Sequence, residues 1–129
     1  MKITAVEGEY SVYRFAPGSP VPENVLSCKG FVSVTRTGEE LSIVCPSGTV
    51  HGAEREEDGW SLWKVAGPLD FGKIGVLSSI AAPLAGAGVS IFAVSTFDTD
   101  YVLWKHDKAG AAVRALRAAG FDVDVAGAR

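Results

Sequence analysis

Asp98 and Asp100 stand two residues apart in the stretch SIFAVSTFDTDYVLWK, residues 90–105, between two apolar runs. Carboxylates so placed at the end of a buried strand have three uses. They can serve a plain turn, where Asp side chains bond nearby backbone groups. They can form a catalytic or metal-binding acid pair. Or they can clamp the cationic end of a ligand by charge-assisted hydrogen bonds. The chain offers no convincing third group for acid-pair hydrolysis, so no catalytic residue is assigned. Cys28, Cys45, His51 and His106 lack the paired short spacings of a zinc site, so neither a metal nor a cofactor is expected. Gly72-Lys73-Ile74-Gly75 is not a phosphate loop, because that pattern needs four residues between its glycines and then Lys-Ser/Thr. Lys73 reads as a solvated first-turn side chain, and both histidines read as solvated.

The elements that position these residues must come from 129 residues, enough for one ordinary domain or two small units sharing a core. A hydrophobic fraction of 47% with 21% charged residues predicts a globular chain. A net charge of −3 without a basic cluster argues against nucleic acid as a partner. MKITAVEGEYS does not read as a secretory signal, and no window approaches the ~18 apolar residues of a membrane span, so a cytoplasmic protein is expected. In that reducing compartment Cys28 and Cys45 read as buried small hydrophobes.

The chain repeats itself. YSVYRFAPG at 10–18 lies over WSLWKVAGP at 60–68, VLS at 25–27 over VLS at 76–78, and VTRTGEELSI at 34–43 over VSTFDTDYVL at 94–103, which sets Glu40 on Asp100. In the longer copy, residues 60–66 alternate as a strand and stop at Gly67-Pro68. Ile74, Leu77, Ile80, Ala81 and Leu84 then follow helical spacing until Gly86 and Gly88, with Pro83 predicting a kink or an early end. Residues 89–95 and 101–105 read as strands. Asp107 is a candidate cap for a second helix with a Val113, Leu116, Ala119 stripe, and Gly120 is its stop before a last strand at 121–125.

This order, βαββαβ, predicts an α+β ferredoxin-like unit: an antiparallel sheet with helices on one face. The first copy shows a strand at 10–15, a helical stub at 24–27 and a hairpin of 31–37 with 41–45, with no second helix. Its missing strand is expected from Lys2 to Val6, folded back at Glu7-Gly8-Glu9 as a hairpin onto 10–15. The expected organisation is a truncated unit at 1–52, an exposed connector at 53–59 around Glu54-Arg55-Glu56-Glu57-Asp58, and a complete unit at 60–129. Trp60, Trp63 and Trp104 read as core or interface residues, with at least one at an interface.

GPLDFGKIGVLSSIAAPLAGAGVSIFAVSTFDTDYVLW at 67–104 resembles ACT domains, the small βαββαβ modules that bind amino acids and regulate metabolic enzymes. The chain as a whole resembles tandem ACT-domain proteins related to the regulatory part of aspartate kinases and to the cytosolic arginine sensors. The resemblance implies a non-enzymatic regulatory protein with an effector site where ACT units meet. That site would be built from the loop opening the first helix, here Phe71, Gly72, Lys73, Ile74 and Gly75, and from the turn after the second strand, here Thr96, Phe97, Asp98 and Asp100. Free amides at a helix start suit an α-carboxylate, and an aspartate suits an α-ammonium. A free amino acid is the implied ligand, with a homodimer and an unidentified regulated enzyme as implied partners. Two alternatives stay open: a protein-interaction module without a ligand, and an acylphosphatase-like enzyme, for which the sole Asn24 is a poor match.

Overall fold

The structure is a computed structural model that describes residues 1–66 and 75–127. Its elements are β1 (Lys2–Phe15), α1 (Glu23–Leu26), β2 (Ser33–Arg36), β3 (Leu41–Pro46), β4 (Arg55–Val65), α2 (Val76–Gly86), β5 (Ile91–Ser95), β6 (Asp100–Lys105), a 3-10 turn (His106–Lys108), α3 (Ala109–Ala118) and β7 (Asp122–Asp124). The chain divides into two compact units, Glu9–Trp60 and Met1–Gly8 with Ser61–Arg129. Both β1 and β4 supply residues to each unit. The run read as a connector is exposed, and from Arg55 onward it is the opening of β4.

The unit Glu9–Trp60 holds α1, β2, β3 and parts of the two long strands. Tyr10–Phe15 pair antiparallel with Leu41–Pro46, and Ser33–Arg36 pair with Leu41–Val44 on the far edge of β3. Its core is Tyr13, Val25, Leu41, Ile43, Cys45 and Val50. The helical stub and the β2–β3 hairpin stand where the sequence places them. The hairpin expected from Lys2 to Val6 does not form. Both edges of 10–15 are taken, one by β3 and the other by β4, whose approach is marked by the Glu54 N–H on the Arg14 carbonyl at 2.9 Å. Gly8, at φ 106°, bends a strand that runs on instead of turning back.

The N-terminal half of β1 belongs to the other unit. Lys2–Thr4 pair parallel with Asp122–Asp124, and the Ala66 N–H reaches the Lys2 carbonyl at 2.8 Å on the opposite edge. This sheet follows β7, β1, β4, β6, β5, so a fifth strand separates the first and last strands of the βαββαβ order and brings one parallel pair with it. Ile3, Trp63, Val65, Val102, Trp104 and Val123 face one core, closed by α2 and α3. At its centre Trp63 and Trp104 stack with ring centroids 4.8 Å apart and planes 25° from parallel, so both are core residues.

The helix faces differ in detail from the spacing argument. α2 buries Val76, Ile80 and Leu84, a strict four-residue spacing, while Leu77 is 36% exposed. Pro83 lies inside α2, which ends at Gly86. α3 buries Ala112, Val113 and Leu116, Ala119 lies outside as its C-cap, and Asp107 sits in the preceding 3-10 turn without making a cap hydrogen bond. Both helices stop in the same way. The N–H groups of Gly88 and Val89 return to Ala85 and Leu84, and those of Gly120 and Phe121 return to Arg117 and Leu116. Gly88 and Gly120 supply the positive φ that this closure requires.

Candidate functional site

The β5–β6 hairpin carries the acid pair. Ser95 and Asp100 are its last paired residues, and Phe97 and Asp98 form the tip beyond Thr96 and Thr99. The Thr96 N–H bonds the Thr99 carbonyl at 2.8 Å, the Thr96 hydroxyl bonds the same carbonyl at 3.1 Å, and the Thr99 N–H returns to the Thr96 hydroxyl at 3.3 Å. Thr99 is 5% exposed, and its hydroxyl donates to the Val65 carbonyl at the end of β4. The tip is thereby tied to the strand that leads into the segment before α2. Asp100 is half-buried; its Oδ1 accepts the Ser95 hydroxyl at 2.6 Å, and Oδ2 has no partner among the described residues. Asp98 is exposed, and Phe97 is 79% exposed at the tip.

The other hairpin shows which residues are true equivalents. There the Thr37 N–H bonds the Glu40 carbonyl at 2.9 Å, and the Glu40 N–H returns to the Thr37 hydroxyl at 3.2 Å. Thr37 therefore matches Thr96, and Glu40 matches Thr99, one residue off the alignment read from sequence. In this register Ile43 and Cys45 match Val102 and Trp104, all four buried in the cores of their units. Asp100 then occupies the place of Leu41, a core residue with 0% exposure. A carboxylate thus stands where the other hairpin has a core leucine, and the Ser95 hydroxyl donates to it.

Of the remaining predicted site residues, Gly75 is the residue preceding α2, at φ 81°, and no side chain caps that helix. Phe71, Gly72, Lys73 and Ile74 lie outside the described residues. Sequence reasoning missed Ser95 and Thr99. Their signal was present in the repeat of a threonine-headed turn, T-x-x-T at 96–99 against T-x-x-E at 37–40.

A second polar cluster lies in the unit Glu9–Trp60. Ser11, 0% exposed, donates to Asp58 Oδ1 at 2.6 Å and lies 2.6 Å from the Ser47 hydroxyl. Glu9 Oε2 accepts the Gly59 N–H at 3.2 Å, where φ of 81° marks an irregularity inside β4. These bonds tie β1 to β4 and to the turn after β3, a structural role. The hydrogen bond that a protonated Glu56 donates to neighbouring Asp58, and the repulsion between the two acids, push the Glu56 carboxyl above the usual glutamate range, with His51 opposing the shift. Cys45 is buried, which pushes its thiol up to about 11, and Cys28 is half-buried. Both histidines are exposed, as the sequence suggested. Among the described residues no three His, Cys, Asp or Glu side chains cluster to hold a metal, and no helix is long and apolar enough to cross a membrane.

A family model described as ACT domain matches residues 55–118, and a second, describing an N-terminal domain, matches residues 8–52. An X-ray structure of a protein from Agobacterium tumefaciens is 35% identical with a TM-score of 0.87, covering 95% of this chain and 90% of that one. The regulatory subunit of aspartate kinase from Thermus flavus shares the fold at a TM-score of 0.68 and 12% identity, covering 92% of this chain and 97% of that one. The cytosolic arginine sensor for mTORC1 subunit 1 of Homo sapiens is 27% identical over an alignment of 115 residues that covers 79% of this chain and 32% of that protein. This chain thus spans about a third of the length of that curated relative. The two helices packed on one sheet face, the duplicated hairpins and these matches lead to one conclusion: the chain belongs to the ACT-domain proteins, with the domain matched over residues 55–118.

Proposed function

We propose that this chain is a non-enzymatic regulatory protein that binds a free amino acid and passes its occupancy on through changed association, as a homodimer or toward a regulated enzyme. The ligand's α-carboxylate would sit on the start of α2 and the loop before it, Phe71, Gly72, Lys73, Ile74 and Gly75. Its cationic group would meet Asp100, with Asp98, Thr96 and Phe97 around it, at a place where ACT units meet. The observation that carries this reading is Asp100 itself, a half-buried carboxylate standing where the other hairpin has the core residue Leu41. A leucine there would add apolar burial, and replacing it with an acid sacrifices roughly 2 kcal/mol of transfer free energy unless the acid serves something else. The bond from Thr99 to Val65 supports the same reading, because it draws the acid-bearing turn toward the strand that feeds the helix start. Arginine, the amino acid for which the human relative is named a sensor, leads the candidates, since a carboxylate with a free oxygen suits a guanidinium.

A thermal-shift panel of the common amino acids tests the proposal. A ligand at about 100 times its dissociation constant adds about 2.7 kcal/mol to the stability of the folded state. One amino acid or a related group should raise the melting temperature of the parent, and Asp100→Asn should abolish the rise. If no amino acid moves the melting temperature, the binding reading fails and a ligand-free interaction module takes its place.

A further inference from the structure

A groove elsewhere in the same unit has a chemistry that the amino-acid reading does not use. It is an open groove of about 320 Å³ between α3 and the residue after β7, a volume that suits a small organic molecule. Its wall is apolar: Trp63, Ala109, Val113 and Val125. Val125 is 44% exposed, an apolar side chain left open at the margin. Trp63 keeps its indole Nε1–H buried with no acceptor among the described residues. The polar part of the lining is two guanidiniums, Arg114 and Arg117, and among the described residues no acidic side chain lines the groove. Arg117 is held in place by donating from Nη2 to the Val123 carbonyl at 2.9 Å, which leaves its other N–H groups for a further acceptor. Arg114 makes no ion pair among the described residues.

Gly110 shows that this arrangement comes at the expense of the helix. It lies in α3, where glycine is a poorer helix former than alanine. A Cβ at this position would stand 3.3 Å from Nη1 of Arg114, so the guanidinium lies over bare backbone on the groove side. An apolar wall with cations and no acids selects an apolar molecule carrying a negative group, and it rejects a zwitterion, whose ammonium would find no carboxylate. We propose that this groove binds a small apolar monocarboxylate, its hydrocarbon body against Trp63 and Val113 and its carboxylate on Arg114 and Arg117. The proposal is independent of the amino-acid site, since it uses neither Asp98 nor Asp100.

The test is a titration of the ¹⁵N-labelled full chain with phenylacetate, followed by amide and indole resonances, with the uncharged 2-phenylethanol as the control. Phenylacetate should give saturating shifts at residues 109–113, at Val125 and at the Trp63 indole. The alcohol should bind at least about tenfold more weakly, the weight of a charge-assisted hydrogen bond. Arg114→Gln and Arg117→Gln should each weaken phenylacetate. Gly110→Ala should weaken it too while holding or raising the melting temperature, an outcome that loss of folding cannot imitate. Absence of saturating shifts at these positions, equal binding of acid and alcohol, or shifts centred on Ser95 and Asp100 instead would overturn the proposal.

Discussion

Ser95 and Asp100 face each other across the last rung of the β5–β6 hairpin, hydroxyl to carboxylate at 2.6 Å. One carboxylate oxygen is thereby oriented, and the other has no partner among the described residues. Asp100→Asn should reduce amino-acid affinity by at least tenfold, given about 1.5–3 kcal/mol for a hydrogen bond to a charged group. Ser95→Ala keeps the charge and loses the orientation, so its effect should be smaller. Isothermal titration of both variants with the amino acid found by thermal shift checks the ranking. An Asp100→Asn variant that binds as well as the parent rules out this residue as the contact.

Thr99 is buried and donates its hydroxyl to the Val65 carbonyl. Thr99→Val keeps the shape and leaves that carbonyl without its donor, which should lower the unfolding free energy by about 1–3 kcal/mol in urea titration. The same substitution should weaken the amino-acid response, because the turn loses its tie to the end of β4. Thr96→Val, at an exposed position, should cost less.

Glu56 titrates above the usual glutamate range because its protonated form donates a hydrogen bond to Asp58, whose charge repels the ionised form. The folded chain therefore holds that proton at pH values where the unfolded chain has released it. Stability attributable to the pair falls as pH rises through the interval just above the ordinary glutamate value, and it is constant below and above that interval. Asp58→Asn keeps an acceptor for Ser11 and removes the repulsion, so carboxyl NMR titration should show Glu56 moving back down.

Cys45 is fully buried, with its thiol pushed up to about 11 from 9.0 chiefly by that burial. In native protein at pH 8, iodoacetamide should label Cys28, which is partly exposed, and leave Cys45 unmodified until the chain is unfolded. Stability should also decline between about pH 9 and pH 11, where the unfolded thiol ionises before the folded one. Mass spectrometry of peptides from native and urea-treated samples reads the labelling directly.

Much of the second unit was legible because its signals are local. Alternating residues made the strands, apolar residues at helical spacing marked α2, though not its buried face, and Gly88 and Gly120 closed the helices. The acid-bearing turn was legible for the same reason. What failed was the placing of one segment against another. Gly8 is compatible both with a tight turn and with a bend in a continuing strand, and nothing within residues 2–9 decides between them. The alignment of Glu40 with Asp100 failed by a single residue, and in a strand a single residue exchanges the two faces. Only the hydrogen bonds that close each hairpin show that Asp100 holds the position that Leu41 has in the other hairpin.

By itself the sequence determined the kinds of element, their order, the duplication and the presence of two acids in a turn, because each depends on propensity and periodicity over a few residues. Tertiary structure alone decided that β1 leaves its own neighbours to join β7, that Ser95 and Thr99 serve the acid turn, and that Trp63 and Trp104 stack. These are pairings between residues far apart in the chain. A strand's open edge accepts any partner with the right hydrogen-bond pattern, so the choice is made by which edges remain free once the whole sheet has assembled.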